Sequence, residues 1–536
     1  MYESMETDAL RRGRAHWARL ALVLLLAALT AIIAVPWLIR DMANELQRLY
    51  NYDSNYYFGI GRALTKGYRL YADMFDIKPP AIFYTAALSL ALTDDFYLTN
   101  VFCFAALCLI GLAPALAAWL YARRAGLDGL RTAELMLPVL LLGSALTLYA
   151  HVRSGHGQVE AFGACFGTLY VLLISGMPAE RMRPWSPRLL LTALVLMLSP
   201  MYKEPFVFVA LAAGLLLSRS GRQLLYRLVL PMLYGGIMGV ILLLATGNLG
   251  NYINIYLKYM LETSVDNTLG KLLAVDVVVR DLWHFSPAFA ASIGVMIVGA
   301  AVGIVRDMAA RPGKLASLPL LALDVVKLPL GVCLTSMAIG TTGAYFPHHF
   351  AFGLPFYAAL VVANARWITG CLTSGEARPT RRGRIALAAG LALAAALLWG
   401  YPTFDMYDTG LVEDSDEMRA EADYIDATLD ALGEERYQYF GFNGRCVNHY
   451  TRHIPMGPVF VQDWMKVSGW NMLGQKLMGQ LRDSDVVVVQ DLNCGDLTGA
   501  IQDILDEEFT DVPPEGIAPP GEDFECQVLY RKSKYA

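Results

Sequence analysis

The chain has few charged residues, and its cysteines follow no recognisable pattern. Only 17% of its 536 side chains are charged, whereas 56% are apolar, and the mean hydropathy is +0.41. A water-soluble globular protein of this size would not carry that balance. None of the eight cysteines forms a CxxC pair or has the spacing of zinc ligands, which argues against a structural zinc site. The composition predicts an integral membrane protein, and no internal repeat is evident.

The charges are unevenly distributed along the chain. Residues 403–536 contain 26 acidic and 10 basic side chains, a net charge of −16, whereas the whole chain carries −5. Residues 1–402 therefore carry +11, and we predict a membrane domain over 1–402 and an extracytoplasmic domain over 403–536. The tail should be a small α/β domain, because it combines helix-type and strand-type apolar patterns. The helix predictions are 417–432 and 496–509, and the strand predictions are 437–442, 459–461, 486–489 and 527–530.

Apolar segments of the first 402 residues predict about eleven membrane-spanning helices. The first is preceded by Arg11, Arg12 and Arg14, which places the N-terminus in the cytoplasm. The inner loops are then short and basic, whereas the outer loops are long, mixed or acidic. Residues 81–92 are too short to span and are predicted as an interfacial or re-entrant helix in the first outer loop, which covers about 40–96. The predicted spans are 17–39, 97–121, 132–150, 159–176, 189–200, 205–218, 228–247, 285–305, 328–342, 350–365 and 385–402.

The first outer loop is dense in aromatic and acidic residues. It contains Asp53, Tyr56 and Tyr57 and continues to Asp73 and Lys78. Aromatic rings can stack on sugar faces while carboxylates accept hydrogen bonds from hydroxyl groups, so the composition suits a carbohydrate site. An interfacial aromatic belt with solvated charges would have the same composition. Both interpretations stay open.

Polar residues also gather at three other predicted outer helix ends, where charged groups against apolar segments are functional candidates. The segment 151–160 contains Arg153 and Glu160, and its alternative interpretation is a snorkelling helix cap. Lys203 and Glu204 lie between two prolines where short helices meet, and their alternative is a simple ion pair. His348 and His349 could bind a metal ion, but adjacent histidines on a helix point to different faces. Hydrogen bonding to a ligand or to loop residues is therefore preferred.

These residues resemble a known family. The first-loop pattern and its setting are similar to those of membrane glycosyltransferases with the GT-C fold, in particular the protein O-mannosyltransferase and aminoarabinose transferase-like group. The resemblance covers about residues 17–402. This chain has Ser54 where many relatives have a second acid, and Phe350 where they have Tyr. The residues that carry the resemblance are Asp53, Tyr56, Tyr57, Gly67, Tyr68, Tyr71, Asp73, Lys78, Pro79, Pro80, Glu160, Lys203, His348, His349, Phe350 and Pro355.

The resemblance implies a multi-pass enzyme of the plasma membrane that moves a sugar from a polyprenyl-phosphate donor to a glycan, lipid or protein acceptor at the outer leaflet. It makes Asp53 the general base of an inverting transfer and Lys78 the contact for the leaving phosphate. Membrane lipid is an expected partner and nucleic acid is not. Weaker phosphate-binding candidates are Arg153, Lys203 and His348, and sugar or acceptor candidates are Tyr56, Tyr57, Asp73, Glu160, Glu204 and His349.

Cofactor use and two other classes of function stay open. No residue set demands a metal ion, and the family is divided over a divalent cation. A transporter or flippase of lipid-linked saccharides would predict related halves, broken helices and ionisable groups near the bilayer midplane. The charges of this chain are expected at the outer helix ends instead. A non-catalytic envelope scaffold would use the acidic tail to bind a partner.

Overall fold

The structure of the protein is a computed structural model that describes twelve stretches of the chain between residues 2 and 535. Eight helices in this part of the chain are long and apolar enough to cross a membrane. The predicted α-helical polytopic membrane protein with a C-terminal α/β domain is confirmed. The described residues are 2–47, 49–93, 95–264, 274–309, 318–341, 345–373, 381–401, 411–413, 416–441, 447–457, 471–521 and 524–535.

The first half of the membrane domain contains eight labelled helices. They are α1 (Tyr2–Glu45), α2 (Tyr52–Thr65), α3 (Ala81–Thr93), α4 (Tyr97–Arg124), α5 (Gly129–Ser154), α6 (Val159–Ser175), α7 (Pro187–Tyr202) and α8 (Phe206–Leu217). The next segments are Gly221–Ala245, which contains a π turn, and a second π turn at Tyr252–Leu257 between the short helices Leu249–Asn251 and Lys258–Ser264. The remaining helices are Val275–Phe285, Pro287–Ala309, Leu318–Gly340, Pro347–Thr373 (3-10 at its start) and Arg381–Gly400.

The eleven predicted spans divide into eight long helices and three short ones. The predictions at 159–176, 189–200 and 205–218 fall on α6, α7 and α8, which have 17, 16 and 12 residues. At 1.5 Å per residue, α7 and α8 are about 24 and 18 Å long, less than the ~30 Å of a hydrocarbon core. The turn between α7 and α8 therefore lies at the meeting point of two short helices.

The predicted interfacial helix is α3, and it packs on α2 rather than lying alone. A Cβ atom at Gly61 of α2 would approach the Cβ of Ala86 in α3 to 2.8 Å. Glycine is therefore needed where the two helices touch. This close pair forms the first loop between α1 and α4.

The predicted basic loops meet at one end of the helices. Arg222 Nε donates to the carbonyl oxygen of Ala179 at 3.0 Å, and Arg227 Nη2 donates to that of Met177 at 3.3 Å. Both acceptors lie between α6 and α7. Residues 310–317 and 374–380, which complete two of the predicted basic loops, lie outside the described residues.

One expectation about charge placement is wrong. Asp324 and Lys327 lie inside the long helix Leu318–Gly340 rather than at the predicted outer ends, and their side chains pair at 2.8 Å. Both residues are at least 98% buried. Lys327 Nζ also approaches the carbonyl oxygen of Ser218 at 3.4 Å, at the end of α8 that leads to the basic loops. The pair is therefore on the side opposite to the turn between α7 and α8.

The tail contains a five-stranded sheet. Its strand order is β4-β3-β5-β7-β6, in which β3 (Arg436–Phe440) pairs in parallel with β4 (Ile454–Pro455) and β5 (Val486–Val489). The strand β7 (Gln527–Arg531) runs antiparallel to β5 and to β6 (Phe509–Thr510). The helices are Asp416–Leu432, Met472–Asp483 and Thr498–Glu508, followed by the short Lys532–Tyr535. The sequence did not predict Met472–Asp483, β4 or β6.

The apolar pattern explains these tail elements. The four valines of β5 form the centre of the sheet, and Ile425 and Leu429 are buried on one face of Asp416–Leu432. The predicted strand at 459–461 lies outside the described residues. Cys494 and Cys526 are buried free thiols, so they are not bridged to each other.

The tail packs directly on the first loop. The strands β1 (Leu49–Asn51) and β2 (Leu411–Glu413) form an antiparallel pair. Arg62 of α2 donates a hydrogen bond to the carbonyl oxygen of His449 at 3.1 Å, and the rings of Phe58 and His449 meet edge to face at 5.4 Å. The first loop and the tail therefore lie on the same side of the membrane domain.

A glycine at this interface gives a testable prediction. A Cβ atom at Gly457 would lie 1.6 Å from the backbone oxygen of Asp73, so Gly457→Ala should separate the tail from the first loop. We expect a lower unfolding temperature and faster protease cleavage between the two domains. Gly479→Ala is the matched control, because nothing lies within 4 Å of its Cβ position and alanine is favoured over glycine in a helix by about 0.5–1 kcal/mol. Equal behaviour of the two variants would contradict this packing.

Candidate functional site

Five polar side chains from separate segments converge where the first loop meets the helix ends. Asp53 lies in the first turn of α2, Lys78 precedes α3, and Glu160 lies in the first turn of α6. The remaining two are Lys203, in the turn between α7 and α8, and His348, at the start of Pro347–Thr373. The sequence singled out all five, and the structure brings them together although they are up to 295 positions apart.

Asp53 and Lys78 form the centre of this cluster. Lys78 Nζ lies 3.8 Å from Asp53 Oδ2, and Gln158 Nε2 donates to the same oxygen at 3.3 Å. The two charged residues are only 8% and 4% exposed. Burial opposes ionisation of Asp53, but the positive charge of Lys78, with His348 and Lys203, outweighs it and lowers the pKa of Asp53. Asp53 is therefore an ionised carboxylate.

Lys78 is held in place through its backbone and its charge. Its N–H donates to Asp76 Oδ1 at 2.9 Å, and its carbonyl oxygen accepts from the hydroxyl of Tyr71 at 2.9 Å. Burial disfavours the ammonium form, but the carboxylates of Asp53 and Asp76 outweigh burial and raise the pKa of Lys78. Lys78 is therefore a fixed cation beside an ionised carboxylate.

A second pair flanks the first. Lys203 Nζ lies 3.8 Å from Glu160 Oε1, and Glu160 is fully buried. Burial and the nearby charge of Lys78 lower the pKa of Lys203, in spite of the carboxylates around it. The neighbouring Glu204 accepts a hydrogen bond from the hydroxyl of Tyr256 in the π turn, and burial raises the pKa of Glu204.

The two histidines adjoin Glu160. Their rings meet edge to face at 4.4 Å, and His349 stacks on Phe352 at 5.6 Å. The short segment Pro347–Gly353 is a 3-10 turn. The side chains of His348 and His349 therefore lie closer together than the predicted helix, with the two on different faces, would place them. One ligand atom each from Glu160, His348 and His349 lies within 4.8 Å of the others, a set that could hold a divalent cation.

Two other predicted site residues form ion pairs with residues outside this cluster. Arg153 pairs with Asp281 of the helix Val275–Phe285 at 2.9 Å, and Asp281 also accepts from the hydroxyl of Tyr149. Asp73 pairs with Arg69 at 2.8 Å in a surface contact. The proposed roles of Arg153 in phosphate binding and of Asp73 in acceptor binding stay predictions.

The aromatic residues of the first loop are covered. Tyr56 and Tyr57 have no exposed surface, and the ring of Tyr57 meets Phe83 of α3 edge to face at 5.9 Å. Tyr71 is also fully buried and packs on Tyr256 with ring centres 4.8 Å apart. These rings form the interior of the loop, and the roles of Tyr56 and Tyr57 in sugar or acceptor binding stay predictions.

Sequence reasoning missed several polar residues at or beside the site. Asp76 lies in the first loop two residues before Lys78, but only its contact with the Lys78 N–H distinguishes it from a solvated acid. Gln158 has no charge that could have marked it. Asp281 lies beside an open depression of about 620 Å³ whose lining includes Trp283, His284 and Phe350. No local sequence signal joins Asp281 to Arg153, which is 128 positions away.

Comparison with known proteins adds likenesses of low identity. No protein-family model and no curated protein sequence matches the chain. Among solved structures, ArnT from Cupriavidus metallidurans bound to undecaprenyl phosphate is 13% identical, with a TM-score of 0.42 over 94% of this chain and 97% of that one. The apo state of the same protein is 12% identical, with a TM-score of 0.37 over 96% and 98%.

A third similar structure is the Archaeoglobus fulgidus oligosaccharyltransferase in complex with zinc and sulfate. It is 12% identical, with a TM-score of 0.41 over 87% of this chain and 67% of that one. These proteins are GT-C-fold glycosyltransferases, the class that the first-loop residues resemble.

The buried Asp76 predicts a pH-dependent stability. Burial, with repulsion by Asp53, raises the pKa of Asp76 from 3.8 to about 6, although Lys78 opposes the change. The stability associated with the protonated form is complete below pH 4 and is lost as the pH rises through 6, a loss of about 3 kcal/mol. Asp76→Asn keeps an acceptor for the Lys78 N–H and does not ionise, so its unfolding temperature should exceed that of the wild type increasingly between pH 4 and 6.

The control for this measurement is Asp503→Asn, because Asp503 is an exposed acid of the tail. Its difference from the wild type should stay constant over the same pH range. A constant difference for Asp76→Asn as well would show that Asp76 is ionised at low pH.

Proposed function

We propose that the protein is a glycosyltransferase that moves a sugar from a polyprenyl-phosphate donor to a cell-envelope acceptor at the outer face of the membrane. The observation that supports this most is the buried pair of Asp53 and Lys78, which joins a carboxylate base to a cation at the helix ends. Lys203 provides a second cation beside them. A lipid phosphate can approach such a site from the membrane while its chain stays in hydrocarbon.

The proposed reaction is a single displacement at the anomeric carbon. The acceptor oxygen forms a bond to that carbon, the bond from the carbon to the phosphate oxygen breaks, and the polyprenyl phosphate leaves with the electron pair. Asp53 takes the proton of the acceptor hydroxyl group, and the configuration inverts. Lys78 stabilises the negative charge that develops on the phosphate.

The position of Lys78 between Asp53 and the donor phosphate would make Asp53 a stronger base once the donor is bound. In the free protein Lys78 lowers the pKa of Asp53, which makes the carboxylate a weak base. A bound donor phosphate would draw part of that positive charge to itself, because one ammonium group then faces two anions. The pKa of Asp53 should therefore rise when the donor binds.

The proposed reaction also determines which side of the membrane the site faces and what the tail would do. With the basic loops in the cytoplasm, the first loop, Asp53 and the tail face the outside, where nucleotide sugars are not available. The N-terminus is then cytoplasmic. The tail packs on α2 through Arg62 and His449, so it would hold the first loop and present the acceptor near the site.

The direct test removes the base. Asp53→Asn should abolish transfer of radiolabelled sugar from polyprenyl-phosphate sugars to membrane acceptors, since the amide cannot take the proton. Purified wild type should transfer sugar from at least one donor of a panel. The matched control is Asp276→Asn, an exposed carboxylate of an i,i+4 pair, which should retain wild-type activity.

Two outcomes would contradict the proposal. Transfer retained by Asp53→Asn would remove Asp53 as the base. No transfer from any donor by folded wild-type protein would instead favour a transporter of lipid-linked saccharides or an envelope scaffold, and loss of phenotype on deleting the tail would favour the scaffold.

A second variant tests the phosphate contact. Lys78→Met should lower kcat by about 10²–10³-fold, the effect expected on losing one group that stabilises developing charge. Since Lys78 lowers the pKa of Asp53, the acidic limb of the pH–rate profile should also move to higher pH. Lys258→Met, which removes an exposed lysine, is the control. An unchanged acidic limb with reduced kcat would place Lys78 away from Asp53 during the reaction.

A further inference from the structure

A second polar cluster lies next to Ser54, the residue after Asp53, and has no part in the proposed chemistry. Glu45 is the last residue of α1, His151 lies in the last turn of α5, and His156 lies in the loop between α5 and α6. Their exposed fractions are 0%, 7% and 3%. Three ionisable side chains from separate segments thus meet in the protein interior.

The donor atoms of these side chains converge. His151 Nε2 lies 3.3 Å and His156 Nδ1 lies 3.9 Å from Glu45 Oε2, and one donor atom from each residue lies within 4.8 Å of the others. Around a tetrahedral zinc ion with bonds of about 2.0–2.1 Å, neighbouring ligand atoms are roughly 3.3 Å apart. A small closure of the cluster would therefore give the required spacing.

The chemistry of the donors also fits a cation. Among the described residues, Glu45 Oε2 and the ring nitrogens of His151 have no hydrogen-bond partner beyond the cluster itself and the nearby thiol of Cys103. Buried polar atoms require partners, and a buried carboxylate requires a positive charge. Imidazole and carboxylate ligands are typical of zinc and related divalent ions.

We propose that Glu45, His151 and His156 bind one divalent transition-metal ion of the zinc class, with a fourth position open to Cys103 or water. The site differs from the group of Glu160, His348 and His349, with which it shares no residue. A metal ion bound there would link the end of α1 to the end of α5, which is a structural role.

The geometry connects this site to Asp53 through the loop before α6. The N–H of His156 donates to Glu45 Oε1 at 2.6 Å, and its carbonyl oxygen accepts from Ser54 Oγ at 2.6 Å. His156 has φ of +56°, a left-handed conformation that costs a non-glycine residue free energy. A metal ion would hold that conformation and so fix Gln158, whose amide donates to Asp53. Only this positioning role rests on the proposed function.

The test measures bound metal and stability in the full-length protein in detergent. Chelator-treated wild type is incubated with zinc, cobalt, manganese or magnesium, desalted and analysed by mass spectrometry of the metal. We expect about one equivalent of zinc or cobalt in wild type, and less than about a tenth of an equivalent in Glu45→Gln and His151→Gln, since each loses a ligand. Chelation should lower the unfolding temperature of wild type but not of these variants.

His349→Gln and Asp53→Asn are the controls, and both should keep the metal. Metal lost in His349→Gln but kept in Glu45→Gln would assign it to the other group and overturn the proposal. No saturable binding by wild type, with no effect of chelation on its unfolding temperature, would show that the cluster is only a Glu–His ion pair. That comparison needs no variant, so a negative result overturns the proposal even where a variant fails to fold. Sugar transfer is not measured, so a failure here is separate from a failure of the proposed function.

Discussion

The buried pair of Asp53 and Lys78 is the interaction on which the arrangement of the site depends. Removing an ion from water costs several kcal/mol, so each of the two residues can be buried as an ion only with the other nearby. Asp53 is fixed by the first turn of α2, whereas Lys78 is fixed by Asp76 and Tyr71 within the loop that leads to α3. The close contact of Gly61 with Ala86 then sets the distance between the two helices. The pair, the loop and the helix packing therefore support one another.

Charge balance explains why the site holds more than one pair. Lys78 and Lys203 are close enough that the charge of Lys78 lowers the pKa of Lys203, so two cations in this volume require nearby carboxylates. Asp53 and Glu160 provide them, at 3.8 Å in each pair. Adding a phosphate would relieve the repulsion between the lysines. In the proposed reaction the same anion would compete with both carboxylates for the lysines, and Asp53 would then become a better base.

The sequence predicted the membrane helices well because two independent signals agree there. Apolar length marks the helices, and the basic residues of alternate loops agree with their boundaries, so even α6, α7 and α8 were located although they are short. The first-loop pattern also led to Asp53 and Lys78.

Composition could not tell whether Tyr56 and Tyr57 are exposed or covered, because an aromatic side chain suits both environments. It could not pair Arg153 with Asp281 either, since that contact joins two helices whose order along the chain says nothing about their distance. Asp324 was missed because a single acid in an apolar helix does not show which partner it has.

The tail and the cluster of Glu45, His151 and His156 both contact the first loop around α2. The tail contacts α2 at Arg62 and the loop at Asp73, which is five residues before Lys78. The cluster of Glu45, His151 and His156 contacts the other end of α2 at Ser54. The helix α2 has only 14 residues, so its stability depends on packing of its buried side chains, among them Tyr56, Phe58 and Ile60, against neighbouring elements. Contacts at both ends restrict how far it can shift. Since Asp53 lies in its first turn, any movement of α2 would change the distance between Asp53 and Lys78. The tail and the cluster of Glu45, His151 and His156 therefore both affect the distance between Asp53 and Lys78 through the position of α2.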